Sequence, residues 1–229
     1  MDFFGGLHGI SLIDIWWVKK NDNKNRNNMK RLIFATNNRH KVEEVCAALQ
    51  GSVEVVSLAE ACLEGEIPET SDTLQGNAQQ KAQWVWQRIR DAHTIGGPDS
   101  YDGCFADDTG LEVDALGGAP GVYSARYAGE HCSFDDNINK LLAALQGESN
   151  RKADFRTVIC LIEDSKEYYF EGRVDGQILT ERHGDEGFGY DPIFMPDRFA
   201  VSFAEMPLTV KNKISHRGRA VEALKKHLL

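Results

Sequence analysis

The chain has 229 residues, 41% hydrophobic and 27% charged, with a formal net charge of -9. This allows one large domain or two small ones with an ordinary buried core, and one domain is the expectation. The acidic balance argues against a surface built for nonspecific adhesion to nucleic acid or anionic lipid. Five cysteines, an odd number without a Cys-x-x-Cys pair, indicate neither a disulfide framework nor a zinc ribbon and fit a reducing cytoplasm.

Residues 1–28 differ from the rest. Leu7 to Val18 is moderately apolar but carries His8 and Asp14, and it is too short to span a bilayer. Lys19 and Lys20 follow that run, whereas a secretory signal places its cations before it. We read this segment as an extension outside the fold, for which a translation start placed too far upstream is one explanation. A single domain then covers residues 29–229.

Arg31 to Ala35 reads as a buried strand, and Thr36 to Asn38 as a turn. Val42, Val45, Cys46 and Leu49 fall at helical spacing before a stop at Gly51. The loop Thr36-Asn37-Asn38-Arg39-His40-Lys41 opens that helix, where free N–H groups and the helix dipole favour an anion such as phosphate. The alternative is an ordinary cap made by Asn38. A second helix is predicted over Asn77 to Arg90, with Ala78, Ala82, Val85 and Ile89 on one face, followed by a loop from Ile95 to Gly103.

Within Ala106 to Gly121, a short apolar run ends in Asp107 and Asp108 and is expected to turn through Gly110. Successive side chains of a strand point to opposite faces, so one carboxylate is expected to bind metal and the other to support it. A hard dication such as Mg²⁺ suits a site this sparse; a polar turn is the alternative. Ser133 with Asp136 resembles a capping box, and Ile138, Leu141, Leu142 and Leu145 form a stripe that Gly147 ends. Phe155 to Ile162 and Tyr168 to Val174 read as a hairpin around Glu163 to Glu167.

In Glu186-Gly187-Phe188-Gly189-Tyr190-Asp191-Pro192, two glycines bring backbone close to a ligand and present a ring that a planar base would stack on. The alternative is a tight turn with a buried Phe. The last helix, Ser215 to Leu229, carries Val221, Leu224 and Leu228 on one face. Lys211, Lys213, His216, Arg217 and Arg219 crowd its beginning, where the dipole disfavours cations unless an anion such as a polyphosphate lies between; a solvated basic face is the alternative. Together these parts compose a nucleoside triphosphate site without a P-loop, on an α/β fold with a mixed sheet.

Five motifs in one order closely resemble the inosine triphosphate pyrophosphatase family: Thr-Asn-Asn-Arg-His-Lys, Ala-Asp-Asp-Thr-Gly-Leu, Gly-Gly-Ala-Pro-Gly-Val-Tyr-Ser-Ala-Arg-Tyr-Ala-Gly, Gly-Phe-Gly-Tyr-Asp-Pro and Ile-Ser-His-Arg-Gly. The resemblance runs from Met29 to the C-terminus. It implies an elongated mixed sheet flanked by helices, in two lobes with the active site in the cleft between them, and a homodimer. It also implies Mg²⁺-dependent hydrolysis of ITP, dITP and XTP to monophosphate and pyrophosphate.

Carried over by position, Asp108 is the general base and a metal ligand, with Asp107 beside it, and Thr109 touches substrate. Thr36, Asn37, Asn38, Arg39, His40, Lys41 and Lys81 hold the triphosphate, and Phe188, Gly189, Tyr190 and Asp191 hold the nucleoside. Lys211, His216 and Arg217 meet the phosphates and the 6-keto purine. Gly76 replaces the Glu that the family carries before its second helix. The family's other acidic metal ligand, often in a Glu-Glu-Thr run, aligns near Pro68-Glu69-Thr70, so Glu69 is the candidate, with Glu66 as substitute. Release of single phosphates, or nucleotide sensing without turnover, are the competing functions.

Overall fold

Leu32, Ile33 and Phe34 are fully buried because β1 (Arg31–Phe34) lies in a parallel run between β2 (Glu54–Ser57) and β3 (Gly103–Val113). A parallel strand covered on both faces reads as unbroken apolar sequence. The computed structural model describes residues 29–91 and 100–229. The expected N-terminal extension and most of the expected 95–103 loop lie outside the described residues.

β3 continues the sheet antiparallel to β5 (Lys152–Glu163), and β6 (Lys166–Ile178) and β7 (Phe194–Pro196) follow antiparallel. β4 (Pro120–Gly121) pairs with the far end of β3. The order β2-β1-β3-β5-β6-β7 is the expected mixed sheet. The hairpin strands are longer than their apolar stretches, and only Asp164 and Ser165 turn between them, at φ +50° and +62°. Two left-handed residues match the twist of the flanking strands.

The turn expected after Asp108 does not occur. β3 runs unbroken through Gly110, paired with β5 along its whole length. Gly110 instead serves close approach, since a Cβ there would lie 2.8 Å from the Gly121 carbonyl oxygen.

Among the described residues five α-helices flank the sheet. α1 (Arg39–Leu49) and α5 (His216–Leu228) cover one face through Val45, Leu49, Val221 and Leu224, which pack on Phe34 and Phe105. α2 (Leu74–Asp91) covers the other with the predicted Ala78, Ala82, Val85 and Ile89. It begins at Leu74, a turn before the expected Asn77. A separate core joins the distal ends of β3, β5 and β6 to α3 (Phe134–Ala144), Phe194 and Phe203. The predicted Ser133–Asp136 capping box is present. The two ends of the sheet thus carry separate cores, with the cleft between them.

The cations expected at one helix start are divided between two helices. Lys211 and Lys213 fall in the last turn of the short α4 (Leu208–Ile214), where the dipole favours them. Ser215 caps α5, its hydroxyl accepting from the Gly218 N–H. α5 rests directly on β6 at Gly172, where a Cβ would lie 2.0 Å from the His216 carbonyl oxygen. Gly172→Ala is therefore expected to destabilise the fold by about 1–3 kcal/mol as overpacking, read as a lower urea midpoint, and to displace the start of α5. Among the described residues no helix is long and apolar enough to cross a membrane.

Candidate active site

A cavity of about 380 Å³ opens between the two ends of the sheet. The β1–α1 loop forms one wall: Thr36, Asn37 and Asn38 line it. Thr36 Oγ1 accepts from the Asn38 N–H at 3.1 Å, and Asn38 Oδ1 caps α1 through the Lys41 N–H at 3.2 Å. The capping alternative is thus realised in the same loop that faces the cavity. Arg39 points to solvent beside Glu43, and His40 also lies outside the cavity lining.

β3 sends its carboxylates in opposite directions, as the pleat requires. Asp108 lines the cavity, taking Lys81 Nζ on Oδ1 at 2.8 Å and the Asn77 amide on Oδ2 at 3.2 Å. Asp107 is behind the wall, 1% exposed, between Lys41 Nζ at 2.9 Å and Arg217 Nε at 3.0 Å. Burial alone would raise its pKa, but Lys41 and Arg217 hold the carboxyl well below the usual range. The two adjacent acids therefore play different parts: one faces ligand space and the other fixes cations.

Those cations form a buried chain of alternating charge. Arg217 reaches from Asp107 to Glu44 and also donates to Thr109 Oγ1 at 3.1 Å. Lys211 Nζ lies 2.6 Å from Glu44 and 2.7 Å from Asp191. Glu44 is 5% exposed and joins α1 to α4 and α5. It and Asn77 were not among the residues singled out from the sequence. The available signal for Glu44 was its place three residues after Lys41, on the face that also buries Val45.

The Phe188 loop closes the opposite wall. The Phe188 N–H donates to Asp191 Oδ2 at 2.8 Å, and Tyr190 donates its hydroxyl to the Ser124 carbonyl at 2.9 Å. Gly189, Tyr190 and Asp191 line the cavity with Phe188. Burial lifts the Asp191 carboxyl above its ordinary range despite Lys211. His216 stacks on Phe155 with centroids 4.5 Å apart, and its buried Nδ1 has no hydrogen-bond partner among the described residues.

Burial, reinforced by the Arg217 and Lys211 charges, holds His216 well below the ordinary imidazole value of 6.5. The unfolded chain takes up a proton at this ring as the pH falls below about 6.5, while the fold does not. Its contribution to stability is therefore complete above that pH and lost progressively below it. His216→Phe, which keeps the stack, should make unfolding less pH-dependent between pH 7.5 and 5.5 than in the parent, measured by urea titration at about those pH values.

Glu69 and Glu66 also line the cavity. Lys81 Nζ bridges the two candidate metal ligands, 2.8 Å from Glu69 Oε1 and 2.8 Å from Asp108 Oδ1. Among the described residues no group of three or more His, Cys, Asp or Glu forms a closed metal cage. Two carboxylates facing an open cavity nevertheless fit Mg²⁺, which takes few protein ligands and completes its shell with phosphates and water. At Gly76, a Cβ would meet Ser71 Oγ at 2.1 Å and Ser71 Cβ at 2.7 Å, so the segment after Glu69 occupies the space a side chain there would need. Cys104 takes no part: its buried thiol donates to the Ala82 carbonyl, and burial pushes its pKa up.

A sequence model of the Ham1 family matches residues 32–227. The chain is 53% identical over 202 residues to a dITP/XTP pyrophosphatase of Porphyromonas gingivalis, covering 88% of this chain and 98% of that protein. It is 50% identical over 194 residues to one of Flavobacterium johnsoniae, covering 85% and 95% respectively. The solved structure of a HAM1 protein from Coxiella burnetii superposes with a TM-score of 0.76 at 34% identity, covering 87% of this chain and 98% of that one.

Proposed function

Because the chain belongs to the Ham1 family, we propose that it hydrolyses non-standard purine nucleoside triphosphates (ITP, dITP and XTP) to the monophosphate and pyrophosphate, keeping them out of DNA and RNA. The observation that carries this reading is the neutral imidazole of His216, which lines a cavity with a ring-bearing loop on one side and cations on the other. A purine 6-oxygen would accept from an N–H of that ring. The 6-amino group of adenine would leave the donor unpaired, at a cost of about 1–3 kcal/mol.

Lys41, Lys81, Lys211 and Arg217 surround the space for the phosphates, yet each is paired with a carboxylate. A triphosphate would therefore meet a wall whose positive charge is already balanced, which supports a requirement for added cationic charge. Asp108 and Glu69 would hold Mg²⁺, which supplies charge neutralisation at the phosphates and electrophilic assistance when bound. Asp108 accepts a proton from the attacking water. The water oxygen bonds to the α-phosphorus as the bond to the bridging oxygen breaks, and pyrophosphate leaves. Phe188 and Asp191 hold the nucleoside.

The acidic net charge and the free thiols support a cytoplasmic enzyme without a nucleic-acid or membrane partner; the family resemblance supports a homodimer. Turnover of ITP, XTP, GTP and ATP, with and without Mg²⁺ and with pyrophosphate and orthophosphate detected separately, tests the reading. Metal-dependent pyrophosphate from ITP and XTP, with little from ATP or GTP, is expected. Orthophosphate as the direct product, or binding without turnover, would overturn it.

A further inference from the structure

Phe188 stands between Gly187 and Gly189, at φ +77° and +63°, so its sequence neighbours bring no side chains to brace it. The hydrogen bond from its N–H to Asp191 fixes the backbone. The ring direction is set by what touches it from outside the loop. His40 stacks on the ring with centroids 5.2 Å apart and planes 15° apart, Phe134 meets it at 6.0 Å and 46°, and Lys211 Nζ and the Arg217 guanidinium lie 5.2 Å and 5.5 Å from its centroid; of these, His40 alone is stacked face to face.

His40 belongs to α1, which packs on the core at one end of the sheet through Val45 and Leu49. Phe188 and Phe134 belong to the opposite side of the cleft. The His40–Phe188 stack therefore crosses the cleft from outside the cavity. His40 is half exposed, with Glu43 3.9 Å away. It adds little to either core, and its removal leaves the Asn38 cap and the buried face of α1 in place.

We infer that His40 is a positioning residue for nucleoside binding: its imidazole, stacked across the cleft, holds the Phe188 ring where the purine packs. This rests on the pyrophosphatase reading above and gives His40 a role other than the triphosphate contact implied by the family resemblance. An aromatic pair of this kind corresponds to an effect of about two- to tenfold in affinity.

The test compares the parent, His40→Ala and His40→Phe for KM and kcat with ITP, for Kd of IMP by calorimetry, and for melting temperature. His40→Ala should raise KM and the IMP Kd by about two- to tenfold, more than it lowers kcat, with the melting transition retained. His40→Phe should restore both. Unchanged KM and Kd in His40→Ala would overturn the inference. So would a rise that Phe fails to reverse, since the effect would then belong to the imidazole nitrogens. A parent that binds IMP but turns over no triphosphate sinks the hydrolytic reading alone, and the Kd comparison still decides the role of His40. A parent that does neither overturns both.

Discussion

Asp108→Asn is expected to lower kcat for ITP by about 10²–10⁴-fold, the range attributed to a positioned general base, with the fold retained. Asp108 faces the cavity, and its carboxylate oxygens meet Lys81 at 2.8 Å and the Asn77 amide at 3.2 Å. Asparagine keeps the size of the side chain but cannot take a proton from water and brings no charge to a cation. Lys81 retains Glu69 at 2.8 Å, so it is not stranded in the variant. Steady-state kinetics with Mg²⁺ and a melting curve check this together. Near-parent kcat in a folded variant would remove Asp108 from the chemistry.

Asp107→Ala, one residue away, should act chiefly on stability. It would leave Lys41 and Arg217 facing each other across the space of their shared anion, which lies 2.9 Å and 3.0 Å from them. Breaking a buried ion pair from one side costs about 3–5 kcal/mol, because the remaining charge stays desolvated. The Asp107 carboxyl is held well below its ordinary value of 3.8 in the fold. Its contribution is therefore present above about pH 4 and lost as the pH falls further. Urea unfolding at pH 7.5 should show a loss of about that size, and the gap between parent and variant should narrow on strong acidification. A loss under about 1 kcal/mol would mean that Glu44 and Thr109 hold Arg217 without help from Asp107.

The contrast between these neighbours separates local information from tertiary. Helical spacing located the buried faces of α2, α3 and α5 and most of that of α1, because a 3.6-residue period is written into any helix that covers a core on one side; Cys46, expected on the α1 face, is exposed, and Glu44 is buried instead. β1 was legible as an apolar run, and the α3 capping box as two residues at fixed spacing. β2 was not, since Glu54–Ser57 at the sheet edge is short and half exposed, without a clear period. The turn at Gly110 was misread because glycine marks both turns and close approaches, and only the position of β4 distinguishes them.

Local pattern alone therefore determined the α/β class, most of the helices, the hairpin and the loops that meet at the cavity, since each depends on residues a few positions apart. Tertiary structure alone decided which of Asp107 and Asp108 faces the cavity, that Glu44 ties Lys211 to Arg217, and that His40 reaches Phe188 rather than the cavity. Those facts depend on which face of β3 meets which helix and on contacts between residues more than a hundred positions apart. Charge pairing at such distances leaves no period in the chain; it exists only once the sheet has brought α1, α4 and α5 together.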